Sequence, residues 1–267
     1  MTVITFTARN VTDAAGAASQ CAVLPVFTRK RLSRAAQQLD KVASGAIKSA
    51  LALGDFTGKS GQTLMLPGAG SARRLLLVGC GSPEKFDRAA ARKFSQTVYT
   101  ALNATQAKDA MLHIADLQVK DGSPKWFLAG LARDLTSAAY RYTETVSKPR
   151  SAMKLTRVVI NTAGTTPLRA AQTALDQGKG TGLGINDARN LANLPGNICT
   201  PTYLAQQARK LSKGAAKLNV SVLDEKKMKE LGMGSLLSVS AGSDQPASCL
   251  LYTSPSPRDP LRYRVCR

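Results

Sequence analysis

A single histidine, His113, stands in a chain of 267 residues. That scarcity excludes a zinc centre built on several imidazoles, and it leaves a Ser-His-Asp relay only one candidate base. Acidic residues are also few, 17 in all, and they are scattered without the spacing of a carboxylate metal site. The five cysteines, Cys21, Cys80, Cys199, Cys249 and Cys266, are odd in number and form no CxxC pair. This argues against a disulfide framework or a thiolate zinc site and for free, mostly buried thiols in a reducing compartment. Aromatic residues make up 5% of the chain, too few for a stacking platform along a single strand. No run approaches the roughly 18 apolar residues of a membrane span. The opening MTVITFTARN has no basic patch followed by an apolar stretch, so no signal peptide is visible. A cytoplasmic protein that does not enter the membrane is the expectation.

What the chain has in excess is positive charge. Lysine and arginine number 37, for a net charge of +20. Three clusters stand out: Arg29, Lys30, Arg31 and Arg34; Lys148, Arg150, Lys154 and Arg157; and Lys226, Lys227 and Lys229. One reading is a solvated basic surface. The other is attraction to a polyanion such as DNA.

Strand and helix patterns alternate along the first 165 residues. Val3–Thr7 reads as an edge strand, and Cys21–Phe27 as a buried strand interrupted by Pro25. Ser33 caps a helix whose apolar face is Leu39, Val42, Ala46, Ile47 and Ala50. Strands at Thr63–Leu66 and Leu75–Val78 flank a glycine-rich turn. A helix carrying Phe86, Phe94, Val98 and Leu102 follows, then a strand at Met111–Ala115. Trp126, Phe127, Leu131 and Leu135 mark a further helix, and Leu155–Ile160 a last strand. This is an α/β pattern with helices packed on a mainly parallel sheet. Residues 167–194 read as one long connecting helix, ended by Pro195-Gly196. Thr200-Pro201 starts the next helix, with a capping hydroxyl and a proline in the first turn. A second α/β unit thus begins near 195.

Several motifs invite a phosphate reading. Gly58-Lys59-Ser60 resembles the end of a P-loop, but Leu53 occupies the position of its first glycine. The glycines at 178, 180, 182 and 184 miss the GxGxxG register, and close helix packing explains them better. Gly79-Cys80-Gly81 follows a strand and precedes a helix, so it is either a phosphate-approach turn or a tight turn with no ligand. His113 reads as a satisfied, partly buried histidine.

Longer stretches carry a resemblance. Gly58–Leu66 (GKSGQTLML) with Leu75–Gly81 (LLLVGCG), Ile185–Ala205 (INDARNLANLPGNICTPTYLA) and Val222–Gly242 (VLDEKKMKELGMGSLLSVSAG) together resemble the leucine, or cytosol, aminopeptidase family in order and separation. The resemblance implies a macro-domain-like α/β domain over residues 1–166, a linker helix over 167–194, and the start of a catalytic domain over 195–247. It also implies a hexamer that releases N-terminal residues, leucine preferred, from peptides. Two divalent ions, manganese or zinc, would activate the attacking water, one polarising the carbonyl while both lower the water's pKa. Some family members also bind DNA, which gives the basic surface an alternative role. The fold further suggests a small nucleotide or ADP-ribose site near Gly79 and Gly81.

None of the family's functional residues transfers onto this chain. Its metal ligands lie on motifs downstream of the match, and the NTDAEGR stretch has no counterpart. Asn161-Thr162, the only Asn-Thr pair, runs into Ala163-Gly164 in the first domain. The expected catalytic, cofactor and metal sets are therefore none, and the chain itself is expected to be inactive. After Ala247 the resemblance stops. Residues 248–267, SCLLYTSPSPRDPLRYRVCR, look like translated sequencing-adapter sequence or a frame shift, and Pro255, Pro257 and Pro260 oppose a strand there. This tail accounts for +3 of the charge and the rest of the chain for +17.

Overall fold

The computed structural model describes residues 3–28, 32–148, 151, 153–164, 166–214 and 218–253. The chain divides into two compact units, Met1–Asp187 and Ala188–Arg267. In the first, β1 (Thr5–Arg9), β2 (Ala22–Phe27), β3 (Thr63–Ala69), β4 (Ala72–Gly81), β5 (Asp109–His113) and β6 (Arg157–Asn161) form one sheet in the order β1-β6-β5-β2-β4-β3. All neighbouring pairs run parallel except β3 and β4, an antiparallel hairpin at one edge. The strands expected on either side of the glycine-rich turn, residues 67–71, are therefore longer than their apolar centres suggested. Pro67 is tolerated because β3 is an edge strand.

β2 is central, and Pro25 does not interrupt it. The carbonyl of Cys21 accepts from Met111 N–H on β5, so odd-numbered residues of β2 turn their backbone polar groups toward β5. The β5 ladder reaches only Ala22 and Val23, and the missing N–H of Pro25 falls beyond it. Along β4, side chains divide between two cores. Leu76, Val78 and Cys80 join one, and Leu75 and Leu77 join the other. This explains the uninterrupted apolar run LLLVGC, since both faces are covered.

The helices that cover those faces are α1 (Arg34–Val42), α2 (Ala46–Leu53), α3 (Arg88–Asn103), α4 (Pro124–Ala138) and the long α5 (Leu168–Asn193). Leu39, Ile47 and Leu51 of α1 and α2 fill one core. Phe94, Val98, Leu131, Leu135 and Leu175 of α3, α4 and α5 fill the other. Each large side chain so buried contributes about 1.5–3 kcal/mol. The single helix expected from Ser33 onward is in fact two. Ser44 (φ 51) and Gly45 (φ 79) take left-handed conformations, which break the helix, and Val42 is left exposed. The buried Asp40 repairs the break by accepting from Ile47 and Lys48 N–H at 2.9 and 3.1 Å, two of the donors that α2 cannot satisfy internally. Ser33 and Ser123 cap α1 and α4 through Ala36 N–H and Trp126 N–H.

The second unit holds α6 (Pro201–Gly214), β7 (Asn219–Leu223), α7 (Glu225–Glu230), α8 (Gly234–Ser240) and β8 (Cys249–Thr253). Thr200 caps α6 by accepting from Tyr203 N–H, and Asp224 caps α7. β7 and β8 form a two-stranded antiparallel sheet. A strand over 249–253 corrects the expectation drawn from the prolines, which lie past its end. CLLYT is apolar and β-prone, and β7 offers it an edge. Both large buried clusters belong to the first unit. Among the described residues, the second unit exposes Leu204, Leu211, Leu231, Val239, Leu251 and Tyr252, with Val239 87% accessible.

Candidate functional site

The carboxyl ends of β5 and β6 meet the N-terminal turn of α4 and the loop leading to α5. In open α/β sheets, this edge is where ligands bind. Two cavities share it. One, of about 190 Å³, is lined by Arg34, Gln38, His113, Asp116 and Asn161 among others. The other, of about 360 Å³, is lined by Ile114, Ser123, Phe127, Leu128, Thr162 and Thr166 among others.

His113 ends β5 and is buried. Its Nδ1 sits 3.2 Å from Asn161 Nδ2, which donates to it. Burial lowers the imidazole pKa to about 4, so the ring is neutral at pH 7 and Nδ1 is an acceptor. Asn161 holds the loop that follows β6. Its Oδ1 accepts from Val11 N–H and Ala163 N–H, and its Nδ2 also donates to the Val11 carbonyl. The pair is structural: the partner of His113 is an amide, not the carboxylate that a catalytic relay would use. The N-terminus of α1 is likewise engaged from within, because Asp116 accepts from Arg34 N–H at 3.0 Å.

The phosphate-like motifs dissolve into one packing contact. Gly79 and Gly81 lie inside β4, not in a turn beyond it. Gly79 N–H donates to the Gln62 carbonyl, and Gly81 N–H to the Gly58 carbonyl. A Cβ on Gly79 would stand 2.0 Å from the Lys59 carbonyl oxygen. The segment Gly58-Lys59-Ser60 is therefore seated on the end of β4, and the glycines exist for that close approach. Gln62 Oε1 ties the loop together by accepting from Thr57 and Lys59 N–H. A phosphate site at Gly79 and Gly81 is excluded, because the N–H groups it would need are already paired.

The four glycines of α5 separate into two kinds. A Cβ at Gly178 or Gly182 would strike Ala129 or Thr136 of α4, whereas Gly180 and Gly184 face open space. The packing explanation holds for the first pair only.

Cys21 and Cys80 are buried and free, and burial pushes their thiols up to about 11 and about 12. Both are inert at neutral pH. Among the described residues, no three His, Cys, Asp or Glu side chains gather where they could hold a metal ion. Among the described residues, the donor set does not fit the family's two-metal centre, whose ligands the resemblance placed downstream of this chain. Of the basic clusters, Arg29, Lys30, Arg31 and Arg150 lie outside the described residues. Among the described residues, no helix is long and apolar enough to cross a membrane.

Comparison with known proteins places this architecture. The model of the cytosol aminopeptidase family N-terminal domain matches residues 23–149, and that of the family's catalytic domain matches residues 186–260. The chain belongs to the cytosol aminopeptidase family. A "Probable cytosol aminopeptidase" of Thioalkalivibrio sulfidiphilus is 39% identical over 235 residues, 87% of this chain and 47% of the relative. Another, of Alkalilimnicola ehrlichii, is 40% identical over 85% of this chain and 46% of the relative. The chain spans about half the length of the curated relatives it matches. A mutant of tomato leucine aminopeptidase shares the fold, with a TM-score of 0.76 at 23% identity over 95% of this chain and 51% of that one. The bottromycin maturation enzyme BotP, in a complex with Mn, does so with a TM-score of 0.67 at 22% identity over 90% of this chain and 46% of that one. The catalytic-domain match also runs thirteen residues past Ala247, where the resemblance was expected to end.

Proposed function

We propose that this chain is the scaffold half of a metal-dependent leucyl aminopeptidase, and that hydrolysis belongs to the other half of the protein. The observation that carries this is the contrast between the two units. The first has two full cores, whereas the second matches the opening of a catalytic domain and leaves Leu204, Leu211, Leu231, Val239, Leu251 and Tyr252 exposed. Exposed apolar surface on that scale is what an unfinished domain presents. The whole protein, on this reading, works in the cytoplasm as a hexamer and removes N-terminal residues, leucine preferred, from peptides with a water activated by two divalent ions, manganese or zinc. The ligands for those ions would come from sequence beyond this chain.

The same reading takes residues 248–267 as foreign or frame-shifted sequence, although the catalytic-domain match extends to residue 260. The pairing of β8 is compatible with it, because any short apolar, β-prone segment can add to an open edge. Sequencing of the locus from an independent source decides the point. A frame that continues past Ala247 into a further strand and a lysine- and aspartate-bearing metal motif supports the proposal. A locus that encodes the tail and then stops defeats it.

A further inference from the structure

The larger cavity at the sheet's carboxyl edge has a composition of its own. Ile114, Phe127 and Leu128 give it an apolar floor, and Ser123, Thr162 and Thr166 give it hydroxyls. Among the described residues, none that lines it carries a charge. Its volume of about 360 Å³ falls in the range of small-molecule sites, as does this mixture of apolar wall and few polar groups. Two of these hydroxyls are held in place. Ser123 Oγ accepts from Trp126 N–H, which leaves its own proton to donate, and Thr162 Oγ1 donates to Asn10 Oδ1 at 2.9 Å.

The backbone around the cavity is also unusual. Among the described residues, three that are not glycine have positive φ: Ser44, Asp121 and Ala163. The first belongs to the break between α1 and α2. The other two bracket this cavity. Asp121 (φ 59) precedes Gly122-Ser123, and Ala163 (φ 39) follows Thr162. Such conformations persist where the surroundings over-determine them, and they concentrate at ligand sites.

We propose that this cavity binds a neutral aromatic small molecule of nucleoside size that carries hydroxyl or amide groups. A planar apolar body matches the Phe127–Leu128–Ile114 floor, and the hydroxyls of Ser123 and Thr166 meet a polar edge. A phosphate or carboxylate would lose its hydration here without gaining a counter-charge. The site therefore discriminates against the pyrophosphate of ADP-ribose that fold analogy alone suggests. It is independent of peptide hydrolysis, and its test does not read that activity.

Trp126 is the only tryptophan and adjoins the cavity wall at Phe127, so its emission reports occupancy. The full chain is titrated with adenosine and with nicotinamide, both neutral, and with AMP as the charged counterpart of adenosine. At least one neutral probe is expected to give a saturable change below about 10 mM, and AMP to bind at least about tenfold more weakly than adenosine or not at all. Thr166→Val, nearly isosteric, is expected to weaken the neutral probe severalfold with unchanged far-UV circular dichroism. Leu128→Phe, which narrows the cavity without adding a second tryptophan, is expected to abolish binding. Three outcomes would each overturn the proposal: no saturation by either neutral probe, AMP binding as tightly as adenosine, or binding indifferent to Thr166→Val.

Discussion

Two alanine substitutions two residues apart on α5 should move stability in opposite directions. Gly178 and Gly180 occupy interior positions of the same 26-residue helix. Alanine favours a helix interior over glycine by about 1 kcal/mol, so propensity alone predicts the same gain at both sites. Packing separates them. A Cβ on Gly178 would lie 2.0 Å from the Ala129 carbonyl oxygen and 2.7 Å from its carbon, whereas one on Gly180 meets nothing within 4 Å. The obstacle at 178 is backbone of α4, and no rotamer change can remove it. The two helices must move apart by about an ångström, which also loosens the contact at Gly182. Overpacking of this kind costs about 1–3 kcal/mol. Gly178→Ala should then lose about 1–2 kcal/mol net, and Gly180→Ala should gain about 0.5–1 kcal/mol. Urea unfolding followed by far-UV circular dichroism measures both. If Gly178→Ala matches or exceeds the parent while Gly180→Ala shows its gain, the close α4–α5 approach is wrong.

Further expectations concern protons, caps and the second unit. Because the folded His113 has a pKa of about 4 against 6.5 unfolded, the folded state holds fewer protons between these values. Stability therefore falls as pH drops through that window, by an amount on the order of 3 kcal/mol in all. His113→Asn should flatten that part of the pH–Tm profile relative to the parent, and an unchanged slope would remove His113 as its source. Asp40→Ala should cost about 1–3 kcal/mol, because two N–H groups of α2 lose their acceptor. Asp40→Asn, which keeps an acceptor oxygen, should recover most of that loss in the same unfolding assay. In hydrogen exchange, amides of 200–245 should exchange faster than those of β2, β4 and β5. Equal protection would contradict an unfinished second unit.

Much of this was legible from local signals. Ser33 and Thr200 each precede an apolar periodic run, and each caps the helix predicted there. The apolar strands of the first unit were legible too, because β2 and β4 are buried on both faces and admit little else. The break at Ser44-Gly45 was not, because the apolar spacing continues through it. Only the buried carboxylate of Asp40, reaching seven residues ahead to Ile47, shows that the helix restarts. The site was the least legible part. Gly58-Lys59-Ser60 and Gly79-Cys80-Gly81 each look like half of a phosphate loop, yet each is the other's packing partner, a long-range fact that no short motif encodes. Nor does spacing distinguish Gly178 from Gly180, since only the identity of the facing helix does. The cavity beside β5 and β6 is assembled from the 114–128 and 162–166 segments, and neither carries a recognisable signature alone.

The central claim is that this chain holds the scaffold of an aminopeptidase and not its chemistry. The most direct measurement is hydrolysis of a leucyl anilide by the purified chain, with manganese added and with a chelator as the control. No release above the chelated background is expected. Saturable, metal-dependent turnover, abolished by the chelator and restored by manganese, would contradict it.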